Sequence, residues 1–491
     1  MTQIIILKKK SAVTVLLSLL QAISFIACSN NDIQKEYKME NIHVNKTALT
    51  MEIGDKEQLI ASAIPAVAHQ PIFRWSSTDE RVVTVTAGMV EAVNPGTASI
   101  IVAYEDVKMN IPVKVEAIKT DQGAILYNKN LAYNSSLTEL ELNNAGKYND
   151  EGLYITSTAN VVQLDKFYAL AERMVKYHVT LAPDAKAIFK SSQGDFNAYI
   201  DVPGKRITIG TTPVTEKAVP FLQGNREYII EIYHIYQQSK VRVIDVQTNE
   251  AAEVSVTNDG QGGVGKGVIN TGFSVGMQWD HYCFGLASGT SMLVKQITVY
   301  SLKKKVKVLI YGDSITQPEG YFPTSDFPQA WTQMIISKLN GNAMSSGRGG
   351  AQIGMVLDYI KNELPYIEAE YVMVTIGTNG GNTEENLSEL VSYIREQGAI
   401  PILNNIPCNE SGTQIENNQL IEQVRKKFGI NGCKFDMATS LDGDGKEVDK
   451  SMMYWEDYTG SWGWQIYHHP NEKGGKSMYE RSLIDIPEIY K

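Results

Sequence analysis

Ser314 stands where a serine can become a nucleophile. Val306 to Tyr311 reads as a short strand, and Gly312-Asp313-Ser314-Ile315-Thr316 follows as a tight turn that would present the Oγ at its tip. A serine hydroxyl is a poor nucleophile until an adjacent base takes its proton and donors receive the charge on the carbonyl oxygen. After residue 303 the chain has only two histidines, His468 and His469. Donors are available in the Gly-rich turn Ser346-Gly347-Arg348-Gly349-Gly350-Ala351, because a glycine N–H can approach an oxyanion closely. The side-chain amide of Asn379 can supply another. The chemistry these types point to is acyl transfer through a serine.

The surrounding pattern predicts elements that could hold them. Pro328 to Leu339 reads as a helix, Tyr371 to Ile376 as a buried strand ending in Gly377-Thr378-Asn379, and Glu384 to Gln397 as a helix. Ile400 to Asn404 is a further strand and Gln414 to Phe428 a further helix. Strands alternating with helices predict a parallel sheet covered on both faces. Ligand sites in such sheets lie beyond the carboxyl ends of the strands, where Ser314 and Asn379 fall. Residues 442–467 form a long connection holding Tyr454, Trp455, Tyr458, Trp462, Trp464 and Tyr467. It is either a wall on which a sugar could stack or a plug closing the edge of the domain. Asp442-Gly443-Asp444-Gly445 is no EF-hand, since Ser451 stands where the bidentate Glu is needed. No CxxC or His/Cys cluster suggests a metal, and no organic cofactor is implied.

Four blocks, in order, carry a family likeness: Gly312-Asp313-Ser314-Ile315, Gly347-Arg348-Gly349-Gly350, Gly377-Thr378-Asn379 and His469-Pro470-Asn471-Glu472-Lys473-Gly474. Together they resemble the SGNH hydrolases, relatives of the GDSL esterases. The resemblance implies a three-layer α/β fold with a flavodoxin-like parallel sheet over residues 304–491. It implies Ser314 as nucleophile, His469 as base, and the Ser314 N–H, Gly350 N–H and Asn379 side chain as oxyanion hole. Two positions depart from the pattern. Gly380 follows Asn379 where the family has Asp, and Ile466 occupies the place three before His469 where the family has the acid that orients the ring. The acid then comes from elsewhere, Glu456 and Asp457 being candidates, or a Ser–His dyad works with the ring held by a carbonyl or water. His468 is a neighbour on the approach to the last helix or a substrate contact. A fragment of residues 304–491 is expected to fold and act alone.

Upstream the chain is β-rich. Residues 41–116 contain Met51-Glu52-Ile53-Gly54-Asp55, Phe73-Arg74-Trp75-Ser76-Ser77, Gly88-Met89-Val90 and Val93-Asn94-Pro95-Gly96-Thr97-Ala98. These resemble a group 2 bacterial immunoglobulin-like domain, with Trp75 placed as a core aromatic between two sheets, and imply a spacer or adhesion module. Residues 117–303 carry strand-like runs such as Lys205 to Ile209, Tyr228 to Tyr236, Lys240 to Val246 and Val294 to Tyr300, with a Gly/Asn loop at Thr257 to Gly263. The pattern resembles a concanavalin-like β jelly-roll sandwich. Its tyrosines are either half-buried sheet faces or a sugar-binding platform.

The N-terminus reads as an address. Lys8 to Lys10 precede the apolar stretch Ala12 to Ala27, too short for a spanning helix, and then Cys28. Phe25-Ile26-Ala27-Cys28 resembles a bacterial lipobox, with Phe25 in the usual place of Leu. The reading is a signal peptide over 1–27, lipidation at Cys28 and a polar tether over 28–40. That places the protein in the bacterial cell envelope, lipid-anchored at the periplasmic face or cell surface. Cys283, Cys408 and Cys433 then remain, and Cys408 and Cys433 could pair. The 491 residues suggest about three domains. A net charge of −10 disfavours nucleic-acid partners, which need a basic face. Envelope location and accessory sandwiches suggest an acylated carbohydrate as substrate, most simply O-acetyl groups on a polysaccharide. The rivals are a lipase or acyl-thioesterase of the same fold, and a catalytically dead glycan-binding or adhesion lipoprotein. The sequence sets no oligomeric state.

Overall fold

The computed structural model describes residues 38–491 apart from 53–54, 66–70, 94–95, 117–118, 121–122, 134–137, 193–196, 210–214, 258–280, 321, 458 and 460–462. The signal peptide, Cys28, most of the tether, the turn at Ile53-Gly54, the Gly/Asn loop after Thr257, Tyr458 and Trp462 lie outside the described residues.

At the N-terminal end, short alternating runs pair into two small sheets and a separate two-stranded ribbon of Asn41–Val44 and Ala61–Ile64. Leu49–Glu52, Val107–Glu116, Gly96–Tyr104 and Arg74–Ser77 form one, and Lys56–Gln58, Met89–Ala92 and Val83–Thr86 the other. Aliphatic residues fill the space between them, with Val83, Val90, Ile100, Val102 and Ile111 fully buried. Trp75 is only half-buried and packs against this core from the side, so the anchor between the sheets is aliphatic rather than aromatic.

The middle region is a sandwich of a nine-stranded and a seven-stranded antiparallel sheet. The expected runs are found as Arg206–Ile209, Arg226–Ile235, Gln238–Asp245 and Met292–Ser301. Alternation sends Tyr177 and Tyr228 inward, where Tyr177 packs on Phe189 and Phe284 with ring centres 4.8 and 5.3 Å apart. Tyr233 and Tyr300 each lie beneath a lysine, Lys240 and Lys176, at 4.5 and 5.1 Å from the ring centre.

The C-terminal region is a four-stranded parallel sheet of β1 (Lys305–Gly312), β2 (Ala343–Gly347), β3 (Glu368–Thr375) and β4 (Ile400–Leu403), in the order β2-β1-β3-β4. Helices α1 (Trp331–Lys338) and α6 (Glu472–Asp485), with the short α5 (Phe435–Thr439), cover one face, on Val308, Ile310 and Met373. Helices α2 (Ile353–Glu363), α3 (Glu384–Glu396) and α4 (Gln414–Phe428) cover the other, on Leu309, Tyr311, Val372 and Val374. The period-2 alternation of each strand produces these two apolar faces. Strand β2 and helix α2 are additions to the expected elements. Residues 442–467 are not a plain connection either, because they contain most of a hairpin of β5 (Met453–Asp457) and β6 (Gln465–Pro470). Cys283, Cys408 and Cys433 are buried and in no disulfide, so the pairing of Cys408 with Cys433 is not formed.

The sandwich and the α/β region share one apolar core. A single cluster runs from Val175, Phe189 and Phe284 through Phe167 and Tyr359 to Val374 and Leu390. Phe167 of the sandwich packs on Tyr359 of α2 with ring centres 4.8 Å apart.

Candidate active site

Strand register brings three loops to one end of the sheet. Gly312 pairs with Gly347 on one side and with Thr375 on the other. Ser314, Gly350 and Asn379 follow those residues by only a few positions, at the carboxyl ends of adjacent strands.

Asp313 caps the 3₁₀ turn Ser314–Thr316, its Oδ1 accepting the Ile315 N–H at 3.0 Å. Burial pushes the Asp313 carboxyl up to about 6, against the downward pull of that N–H and of His468. Ser314 is not exposed as the turn suggested. Only 4% of its surface is accessible, because the turn is roofed by later segments of the chain. Ile315, Pro318, Phe322, Trp331, His469 and Pro470 line a small pocket with it. Trp331 is locked there by donating from Nε1 to the Ile315 carbonyl at 2.9 Å.

His469 arrives from the hairpin. Asn471 caps α6 by accepting the N–H groups of Lys473 and Gly474 at 2.9 and 3.2 Å. Its Nδ2 also donates to the carbonyls of Ser451 and Met453 at 3.0 and 3.2 Å, which ties the His-Pro-Asn segment to β5. Met453 pairs with Pro470 and Trp455 with Tyr467, so one residue of β5 faces two of β6, His468 and His469. This bulge breaks the strict alternation of β6 and turns both imidazoles toward Glu456.

The result is a continuous relay. The Nε2 of His469 lies 2.8 Å from the Ser314 Oγ, and its Nδ1 lies 2.5 Å from the Oε1 of Glu456. Ser314, His469 and Glu456 are all buried. Glu456 pairs across the hairpin with Ile466, so its carboxylate reaches the place left empty by that isoleucine. Of the two candidate acids, Glu456 is therefore the one at the ring. Asp457 points away and accepts the Thr459 N–H at 3.0 Å. His468 Nδ1 stands 3.6 Å from the second Glu456 oxygen, beyond hydrogen-bond range.

The electrostatics follow from burial and pairing. Burial alone would raise Glu456, but the charges of the two histidines and the hydrogen bond from His469 hold it at about 2. Burial lowers the pKa of His469 from its ordinary value, with Glu456 pulling it part of the way back. Glu456 is thus ionised and His469 neutral at neutral pH, with the proton on Nδ1 and Nε2 free to accept. Ligand-type atoms of Glu456, His468 and His469 lie within 4.8 Å of one another. Both ring nitrogens of His469 are already engaged, so the trio serves a proton relay better than a metal.

The Gly-rich turn packs directly on the serine turn. A Cβ on Gly347 would lie 2.5 Å from the Thr316 carbonyl carbon, so no side chain fits there. Gly350 has φ +73, a conformation that favours glycine. The Arg348 N–H donates to the Gly312 carbonyl at 3.1 Å. Gln317, which sequence reasoning did not single out, accepts the Gly349 N–H on its Oε1 at 2.6 Å. Asn379 donates from Nδ2 to the Ala351 carbonyl at 3.0 Å, one residue from Gly350. An amide nitrogen carries two hydrogens, so a second remains for an oxyanion. Among the aromatics of residues 442–467, Tyr454 is buried edge-on against Phe322, with ring centres 5.6 Å apart, while Trp464 is 41% exposed. The segment is a plug on its inner side and open on its outer side.

Among solved structures, the exoplasmic/lumenal domain of VIP36 is similar over 36% of this chain and 90% of its own, at 9% identity and a TM-score of 0.27. A GDSL-like lipase from Bacteroides thetaiotaomicron is similar over 36% of this chain and 85% of its own, at 14% identity and a TM-score of 0.27. A mutant of an acetyl-xylooligosaccharide esterase from Geobacillus is similar over 37% of this chain and 94% of its own, at 15% identity and a TM-score of 0.28. These likenesses are distant, and the chemistry rests on the geometry above. No curated protein matches the chain. At its N-terminal end the chain carries a bacterial Ig-like domain of group 2, whose family model matches residues 38–115.

Proposed function

We propose that this protein is a serine esterase of the SGNH type that removes O-acetyl groups from a polysaccharide. The observation that carries the reading is the Ser314–His469–Glu456 relay, at 2.8 and 2.5 Å. Ser314 Oγ attacks the ester carbonyl while His469 Nε2 takes its proton. The imidazolium is held by ionised Glu456, and the oxyanion is received by the N–H groups of Ser314 and Gly350 and by Asn379. His469 then returns the proton to the leaving alcohol, and water repeats the sequence on the acyl-enzyme. The contact of Glu456 with the His469 ring supports an active enzyme over the inactive adhesion protein.

The pocket beside Ser314 supports a short acyl group over a long one. It is walled by Phe322, Trp331 and Pro470, with Tyr454 packed behind Phe322. Across chromogenic esters of increasing acyl length, kcat/KM is expected to fall at least about tenfold from acetyl to octanoyl, since added methylenes would have to displace packed rings. A rate that rises with chain length would favour the lipase reading. Release of acetate from an acetylated polysaccharide tests the substrate class itself.

The site of action follows from Cys28 in the same proposal. A fatty-acid analogue is expected to label the full-length protein, and Cys28→Ser to leave it unlabelled and in the soluble fraction. Unlabelled, soluble wild-type protein would reject the anchor.

A further inference from the structure

We propose that Arg348 is a positioning residue that fixes the Gly347–Gly350 turn against the middle sandwich, making the sandwich a working part of the active site. This rests on the reading of Ser314 as nucleophile and of the Gly350 N–H as an oxyanion donor.

Strand β2 is the edge of the parallel sheet, and the sandwich segment 167–171 lies along it. The Ala171 N–H donates to the Ser345 carbonyl at 3.0 Å. Fully buried Glu363, at the end of α2, accepts the N–H groups of Ala169 and Leu170, the latter at 3.1 Å, and the Ser346 hydroxyl at 2.7 Å. Asn362 donates to the Phe167 carbonyl at 3.1 Å. The sandwich also reaches the pocket wall, where Gln237 Nε2 donates to the carbonyls of Glu319 and Phe322 at 3.2 and 2.7 Å.

Arg348 is the pivot of this contact and is itself fully buried. Its guanidinium donates to the Gly347 carbonyl at 2.7 Å and to the Leu170 carbonyl of the sandwich at 3.4 Å. It stands 3.6 Å from the Glu319 carboxylate, which is also buried. Arg173 of the sandwich donates to the same Leu170 carbonyl at 2.5 Å. Taking ions out of water costs several kcal/mol each, and apolar residues often fill such a place at no loss of stability. What a planar fork does that an apolar chain cannot is tie two backbone carbonyls from different units to one point. One of those carbonyls opens the turn that carries Gly350. Oxyanion donors act only when held in place before the charge develops.

The test compares full-length Arg348→Met, Arg348→Lys and the double variant Arg348→Met/Glu319→Gln with wild type on a chromogenic acetyl ester. The double variant removes both members of the buried pair, so neither is left without the other. It is expected to stay folded by circular dichroism, with kcat down about 100-fold and KM within about threefold, the signature of a lost transition-state interaction. Arg348→Lys is expected to fall between it and wild type. A folded double variant with kcat within about threefold of wild type would overturn the proposal. So would loss of the fold in every variant, which would make the residue structural. Ser314→Ala run alongside separates the two readings. An inactive wild type, or an active Ser314→Ala, rejects the esterase itself, whereas serine-dependent activity that is indifferent to Arg348 rejects only the positioning role.

Discussion

Ser314→Ala is expected to lower kcat for an acetyl ester by a factor on the order of 10⁶, and His469→Ala by about as much. The two should act as one unit, since the 2.8 Å contact between Nε2 and Oγ would make the hydroxyl a nucleophile. The double variant should therefore be no slower than either single one. His468→Ala should cost less than about tenfold, because that ring stands 3.6 Å from Glu456 and makes no hydrogen bond to it. Initial rates on purified, folded protein decide the matter. A Ser314→Ala enzyme within about tenfold of wild type would sink the mechanism, and total loss from His468→Ala with His469→Ala active would exchange the two rings. The pH profile carries a sign as well. Only neutral imidazole can accept the serine proton, so kcat/KM should rise with pH through the pKa of His469. Burial places that limb below the ordinary histidine value of about 6.5.

Glu456→Gln is expected to lower kcat by about 10⁴ while KM changes little. The carboxylate accepts the Nδ1 proton and leaves Nε2 open toward Ser314. A glutamine can instead present its NH₂ to Nδ1, which drives the proton to Nε2 and blocks the base. Glutamine has nearly the same shape, so the change tests chemistry before packing, and a melting curve checks that the fold is kept. The acid limb should also move lower still, because Glu456 is the group that pulls the His469 pKa upward. Asp457→Asn should leave kcat unchanged, its carboxylate being turned to Thr459. If Glu456→Gln were as fast as wild type, the relay would end at His469 and the enzyme would be a dyad.

Why the acid was the hardest part to read is itself physical. The serine, the two histidines and the Gly-rich turn lie within short blocks, and each block keeps its spacing because one local element needs it. The acid is set by pairing between segments. Met453 to Asp457 and Gln465 to Pro470 are alternating enough to be strands, but the aromatics between them invite a loop reading. Register then decides everything, since Glu456 opposite Ile466 supplies what position 466 lacks. The bulge at His468 and His469 adds a further residue of offset that no periodicity predicts. The long strands of the sandwich and the helices α3 and α4 were legible, because a sustained period of 2 or 3.6 outlasts local noise. Strand β2 was not. Its five residues, Ala343 to Gly347, are buried, but all except Met344 are small or polar, so they carry little apolar signature. The burial of Ser314 was hidden for the same reason as the acid. Its roof is made by Phe322 and Trp331 together with Pro470, which comes from far along the chain.

The unbroken apolar core between sandwich and α/β region has a consequence for how the molecule comes apart. Phe167, Tyr359 and Val374 belong to one cluster, while Val83, Val90 and Ile100 of the Ig-like region form another. Cooperativity in unfolding follows shared buried surface, since one side cannot open without stripping apolar contacts from the other. Among the described residues the sandwich and the α/β region are therefore expected to open as one cooperative unit and the Ig-like region as another. The Ig-like unit, having its own core, is expected to unravel and re-form under load or heat as a separate event, leaving the rest of the fold undisturbed.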